Sequence, residues 1–141
     1  MKKDTIMVIG AGQMGAGIAQ VSAQAGYNVY MYDVSPDQIE KGMKRISGQL
    51  VRQAEKGKLP HGDVQQIYQR LSPSASLDDA REAFLIIEAA VEQMDVKKEI
   101  FKRLDEVTED SAYWHQIHRH CRLRNSLPSR KNLKMSSACI L

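Results

Sequence analysis

The sequence predicts an α/β fold: a parallel sheet with helices, incomplete, followed by an irregular C-terminal tail. Three observations carry this. Two continuous apolar runs, residues 5–9 and 83–87, are bounded by charge or glycine and read as strands buried on both faces. Between the first run and a helical repeat lies Gly10-Ala-Gly-Gln-Met-Gly15, a glycine turn placed where a strand passes into a helix. After Asp110 both kinds of periodicity stop.

Residues 5–9 form the first strand. The glycine turn opens a helix in which Met14, Ile18, Val21 and Ala25 recur at helical spacing, while Ala16, Ala19 and Ala23 keep it slim. Gly26 is a natural stop. Residues 28–32 are the next strand and end at Asp33. Together these make a β-α-β unit, the opening of a Rossmann-type sheet.

Residues 33–37 turn the chain, with Ser35 as cap and Pro36 in the first turn of a long helix, 36–56. Ile39, Met43, Ile46, Leu50 and Val51 give that helix an apolar face, and Gly57 and Pro60 end it. Residues 61–71 carry Val64, Ile67, Tyr68 and Leu71, which suits a short helix. Residues 71–77 hold a short edge segment, and Ser76 caps a turn over 77–80. The strand 83–87 follows, with 88–92 as the loop at its carboxyl end. A helix over 94–108 then presents Val96, Ile100, Leu104 and Val107 on one face and Lys97, Lys98, Lys102 and Arg103 on the outer one. Residues 1–112 therefore read as a partial sheet domain. Residues 113–141 read as a basic tail for which no regular structure is expected.

At 141 residues and 43% hydrophobic, the chain has material for one packed domain. No run reaches the roughly 18 apolar residues of a membrane span. Lys2 and Lys3 introduce only a short apolar run before the glycines, unlike a signal peptide. The expectation is a cytoplasmic protein with no membrane contact. Two cysteines make no disulfide framework. The net charge of +3 divides unevenly: residues 111–141 hold six Lys and Arg and no acid, against fourteen and seventeen in residues 1–110. That tail lacks the aromatic interleaving and the fold of a nucleic-acid module, so no nucleic-acid partner is expected. His115, His118, His120 and Cys121 are metal-ligand types, but their spacing matches no zinc pattern and nothing around them orients a base. Neither a metal site nor a catalytic residue is assigned.

The glycine turn carries the chemistry. Gly10 permits the tight turn, Gly12 lets backbone approach a pyrophosphate, and Gly15 lets helix and sheet pack closely. The helix N–H groups then hold phosphates. Asp33 stands 18 residues after Gly15, at the end of the second strand. Its carboxylate suits both hydroxyls of an adenosine ribose and repels a 2′-phosphate, and Val34 and Ser35 offer no arginine to welcome one. NAD is favoured over NADP. Glu88, Ala89, Ala90 and Glu92 line the carboxyl edge of the sheet. Glu92 and Lys97 either pair to hold the nicotinamide ribose side or form an ordinary solvated pair. Lys56 and Lys58 either meet a phosphate of a bulky substrate or close a solvated helix end.

The runs Ile9–Gln20, Ala25–Asp33 and Glu88–Gln93, with Lys97 and Phe101–Asp105, resemble 3-hydroxyacyl-CoA dehydrogenases, and among them the bacterial 3-hydroxybutyryl-CoA type. The resemblance covers about residues 3–112. It implies an NAD-dependent oxidoreductase interconverting 3-hydroxyacyl-CoA and 3-ketoacyl-CoA in fatty acid or butanoate metabolism. It implies cofactor contacts at Gly10, Gly12, Gln13, Met14, Gly15, Asp33, Ala89, Glu92 and Lys97. Gln93 departs from the asparagine common there. The family continues with a strand and Asn-Thr-Ser-Ser, then Met-His-Phe with the catalytic histidine, then a helical domain carrying most homodimer contacts. None of these stands in residues 113–141. Permitted codons for Ala112–Leu141, read in a shifted frame, regain Asn-Thr-Ser-Ser and Met-His-Phe in order, so the tail is expected to arise from a frameshift. The chain is then the cofactor part alone; the alternatives are a non-catalytic NAD-binding fragment or an inactive pseudogene product.

Overall fold

The computed structural model describes residues 2–89, 94–107, 113–118 and 134–139. The described elements are β1 (Lys2–Ile9), α1 (Gln13–Gln24), β2 (Asn28–Tyr32), α2 (Pro36–Glu55), α3 (His61–Gln69), β3 (Leu71–Ser74), a 3-10 turn (Leu77–Glu82), β4 (Ala83–Glu88), α4 (Met94–Val107), β5 (Tyr113–His118) and β6 (Lys134–Cys139). The sheet runs β3-β2-β1-β4-β5-β6, with every pairing parallel. The chain builds outward from β1 to β3, then returns across β1 to build β4 outward on the other side. The strand order therefore reverses between β1 and β4. In an open α/β sheet that reversal opens a crevice at the carboxyl ends of the strands.

Each face of the sheet has its own core. Ile6, Val8, Val29, Met31 and Ile87 point to α1 and α2, where they meet Ala16, Ala19, Ala23, Ile39, Ile46 and Leu50. Met7, Ile9 and Ile86 point to the other face, where Ile100, Phe101 and Leu104 of α4 and Leu77 and Ala80 of the 3-10 turn cover them. Alternation along β1 thus feeds both layers, which is why its sequence is apolar at every position from Ile6 to Ile9. The edge segment expected after residue 71 is β3, and Ser76 caps the 3-10 turn as expected, its side chain accepting from the Asp78 N–H.

Three expectations need correction. Helix α1 buries its small residues, Gly15, Ala16, Ala19 and Ala23, while Val21 is 65% exposed. Close packing of helix on sheet puts the small residues at the centre of the contact, with Met14 and Ile18 half-buried beside them and Val21 outside. Likewise Val51 of α2 is exposed, and Gly42 and Ala54 take its place in the buried face. Third, the irregular tail is not irregular throughout: β5 and β6 lie within it and extend the sheet beyond β4. The open edge of β4 offers backbone partners irrespective of side-chain pattern, so the lack of alternation does not prevent pairing.

Candidate functional site

The glycine turn sits at the carboxyl end of β1, beside the strand reversal. Gly10 adopts φ +106°, a left-handed conformation that side chains disfavour. Its N–H donates to the Tyr32 carbonyl at 2.7 Å, which ties the turn to the end of β2. A Cβ on Gly15 would lie 1.7 Å from the Gly10 carbonyl oxygen, so only glycine fits there. Gly12 is different: a Cβ would meet nothing within 4 Å. Nothing in the packing of the described residues demands a glycine at that point. It leaves open space in front of α1, where a pyrophosphate would approach. Helix α1 starts at Gln13 without a side-chain cap and without an acid in its first turn. Its leading N–H groups are thus free of competing charge and suited to an anion. Gln13 is exposed and Met14 half-buried at this rim.

Asp33 stands at the end of β2, beside the glycine turn. Its Oδ2 accepts from the Ala11 N–H at 2.9 Å and its Oδ1 from the Ser35 N–H at 2.9 Å. One bond per oxygen fixes the carboxylate and leaves lone pairs for two further donors. A ribose diol provides two. The Tyr32 phenol beneath it is pushed up from its ordinary range by burial, and the Asp33 charge adds to the effect. Val34 is exposed beside it, and no arginine stands in the turn.

The other side of the crevice is built on β4. The Ala89 N–H donates to the Ile9 carbonyl at 2.8 Å, which locks the ends of β1 and β4 together. Glu88, in register with Ile9, faces α4 and is 2% exposed. The Lys97 Nζ lies 3.7 Å from its Oε1, with the lysine side chain 10% exposed. Lys97 is therefore not on the outer face of α4, as its neighbours Lys98 and Lys102 are. One turn of helix carries it inward over β4, where burial requires a counter-charge. Its partner here is Glu88. Glu92 lies outside the described residues, as do Ala90, His120 and Cys121.

Sequence reasoning missed Gly42. A Cβ there would lie 2.8 Å from the Ala11 carbonyl oxygen and 2.6 Å from Met31 Cε. Helix α2 thus backs directly onto the glycine turn. A glycine between Ile39 and Ile46, on the buried face of an amphipathic helix, was the available signal. Lys56 and Lys58 are exposed at the far end of the 20-residue α2, roughly 30 Å along its axis from Ser35, and are not brought to the turn. Among the described residues no group of three His, Cys, Asp or Glu could hold a metal ion, and no helix is long and apolar enough to cross a membrane.

Comparison with known proteins agrees with this geometry. Residues 5–114 match the family model for the 3-hydroxyacyl-CoA dehydrogenase NAD binding domain. The probable 3-hydroxybutyryl-CoA dehydrogenase of Bacillus subtilis is 50% identical over 107 residues, which is 76% of this chain and 37% of that protein. The 3-hydroxybutyryl-CoA dehydrogenase of Bradyrhizobium diazoefficiens is 43% identical over 105 residues, 74% of this chain and 36% of that protein. The crystal structure of (S)-3-hydroxybutyryl-CoA dehydrogenase PaaH1 from Ralstonia eutropha superposes with a TM-score of 0.78 at 34% identity, covering 84% of this chain and 42% of that one. The chain therefore spans well under half the length of these relatives. It belongs to the 3-hydroxyacyl-CoA dehydrogenase family and has the family's NAD-binding domain fold.

Proposed function

We propose that this chain supplies the NAD-holding half of a 3-hydroxyacyl-CoA dehydrogenase, of the kind acting on 3-hydroxybutyryl-CoA. The observation that carries it is the Asp33 carboxylate. The amides of Ala11 and Ser35 fix it, and it stands next to a turn whose Gly12 leaves open space for phosphate. NAD, when bound, supplies the hydride acceptor for oxidation of a 3-hydroxyl. The residues of this chain bind and orient it: the first turn of α1 takes the pyrophosphate, Asp33 the adenosine ribose, and the end of β4 with Lys97 the second nucleotide half.

Residues 113–141 contain neither Asn-Thr-Ser-Ser nor Met-His-Phe. We read that segment as translated out of frame, a reading supported by the family match ending at residue 114 and by the shifted codons that regain both motifs. On this reading the 141 residues bind NAD in the cytoplasm but move no proton from a substrate hydroxyl. In the intact family, acyl-CoA contacts and most homodimer contacts belong to segments other than these 141 residues. The test is an assay with acetoacetyl-CoA and NADH beside the coding DNA. Little or no turnover, with both motifs in the neighbouring frame, is expected. Turnover at a rate typical of these dehydrogenases overturns the reading.

A further inference from the structure

The Glu88–Lys97 pair has a use beyond holding α4 to the sheet. Resting on the proposed NAD binding, we propose that it is a charge-neutral dyad that lets the second nucleotide half of the crevice accept oxidised, cationic nicotinamide as readily as the reduced, neutral form. Glu88 is a positioning residue in this scheme and acts through Lys97.

Two mononucleotide-binding halves make this kind of sheet, and the dinucleotide crosses the crevice between them. Asp33, on the β1–β3 half, takes the adenosine ribose, so the nicotinamide half falls to the β4 side. Glu88 is the last residue of β4, one residue before Ala89, whose N–H is pinned to Ile9 at the strand reversal. Lys97 reaches the same point from the first turns of α4. Both side chains are almost fully removed from water, at 2% and 10% exposure. A buried ion pair adds little net stability over an apolar pair of similar volume, because desolvation offsets the attraction. Two charges in this place act mainly through their field, which water screens poorly here. An ammonium alone on the nicotinamide side of the crevice disfavours the oxidised cofactor, which carries a positive ring, and leaves the neutral reduced ring unaffected. A carboxylate 3.7 Å from the ammonium cancels that bias.

The experiment is calorimetric or fluorescence titration of the full chain with NAD+ and with NADH, read as the ratio of the two Kd values. Glu88→Gln removes the carboxylate that pairs with Lys97 among the described residues, and the ratio moves against NAD+ by about fivefold. Lys97→Met moves it in the opposite sense. The double variant, which removes both charges of the pair, returns the ratio to that of the parent chain. Equal loss of affinity for both cofactor forms in the single variants, or an unchanged ratio, overturns the dyad while leaving NAD binding intact. Failure of the parent chain to bind either form overturns the dyad and the proposed function together.

Discussion

The two halves of the crevice are built by different means. On the β1–α1–β2 side the determinants are shape and backbone: a left-handed Gly10, a Gly15 with no room for a methyl, an open Gly12, and a carboxylate held by two main-chain N–H groups. On the β4–α4 side the determinant is a buried pair of opposite charges. Shape fails sharply, because backbone cannot yield by an ångström. Charge fails gradually, through a shift in preference. Substitutions on the first side should therefore damage folding and binding together, unless they fall where the packing is open.

Gly15→Ala is the harshest test of that contrast. Its methyl would overlap the Gly10 carbonyl at 1.7 Å, and the expected loss is about 3 kcal/mol or more, with NAD binding abolished. Thermal unfolding measures the first and titration the second. Gly42→Ala should be milder. Met31 Cε can move away, but the Ala11 carbonyl belongs to the turn itself, so about 1–2 kcal/mol is lost and NAD affinity falls with it. Gly12→Ala separates the two quantities. With nothing within 4 Å, stability should stay within about 0.5 kcal/mol, while NAD affinity drops roughly tenfold or more because the methyl occupies the phosphate path. A Gly12→Ala chain that unfolds, or that binds as before, breaks the account of the turn. The smallest effect is alkaline. Tyr32 has its pKa raised above 10.0 by burial and by Asp33, so the folded state holds its proton more tightly than the unfolded chain. Its contribution is complete below pH 10.0 and is lost as pH rises through the folded value. Tyr32→Phe should flatten the fall in stability above that pH, as seen in denaturant midpoints.

The same division explains how much the sequence disclosed. The placement of Gly10, Gly12, Gly15 and Asp33 at the carboxyl ends of β1 and β2 was legible because glycine at fixed offsets, between an apolar run and a helix, marks a strand-to-helix turn. The order of elements through α4 followed from apolar periodicity. The inward turn of Lys97 was not legible. A lysine among Lys98 and Lys102 looks solvated, and only the register of α4 over β4 shows that it meets Glu88. Gly42 was missed because its reason lies in another element, the Ala11 carbonyl. On α1 the helical period extends to Val21 and Ala25, which face solvent because the small residues Ala16, Ala19 and Ala23 meet the sheet. Strands β5 and β6 were missed because edge pairing uses backbone groups that no side-chain pattern advertises.

On the proposed reading, Asp33 sets the choice between NAD and NADP. Titration of the 141-residue chain with NAD and with NADP, under identical salt, tests it most directly. Saturable binding of NAD is expected, with binding of NADP weaker by about tenfold or more and loss of that difference in Asp33→Ala. No binding of NAD, or equal affinity for the two dinucleotides in the parent chain, would contradict it.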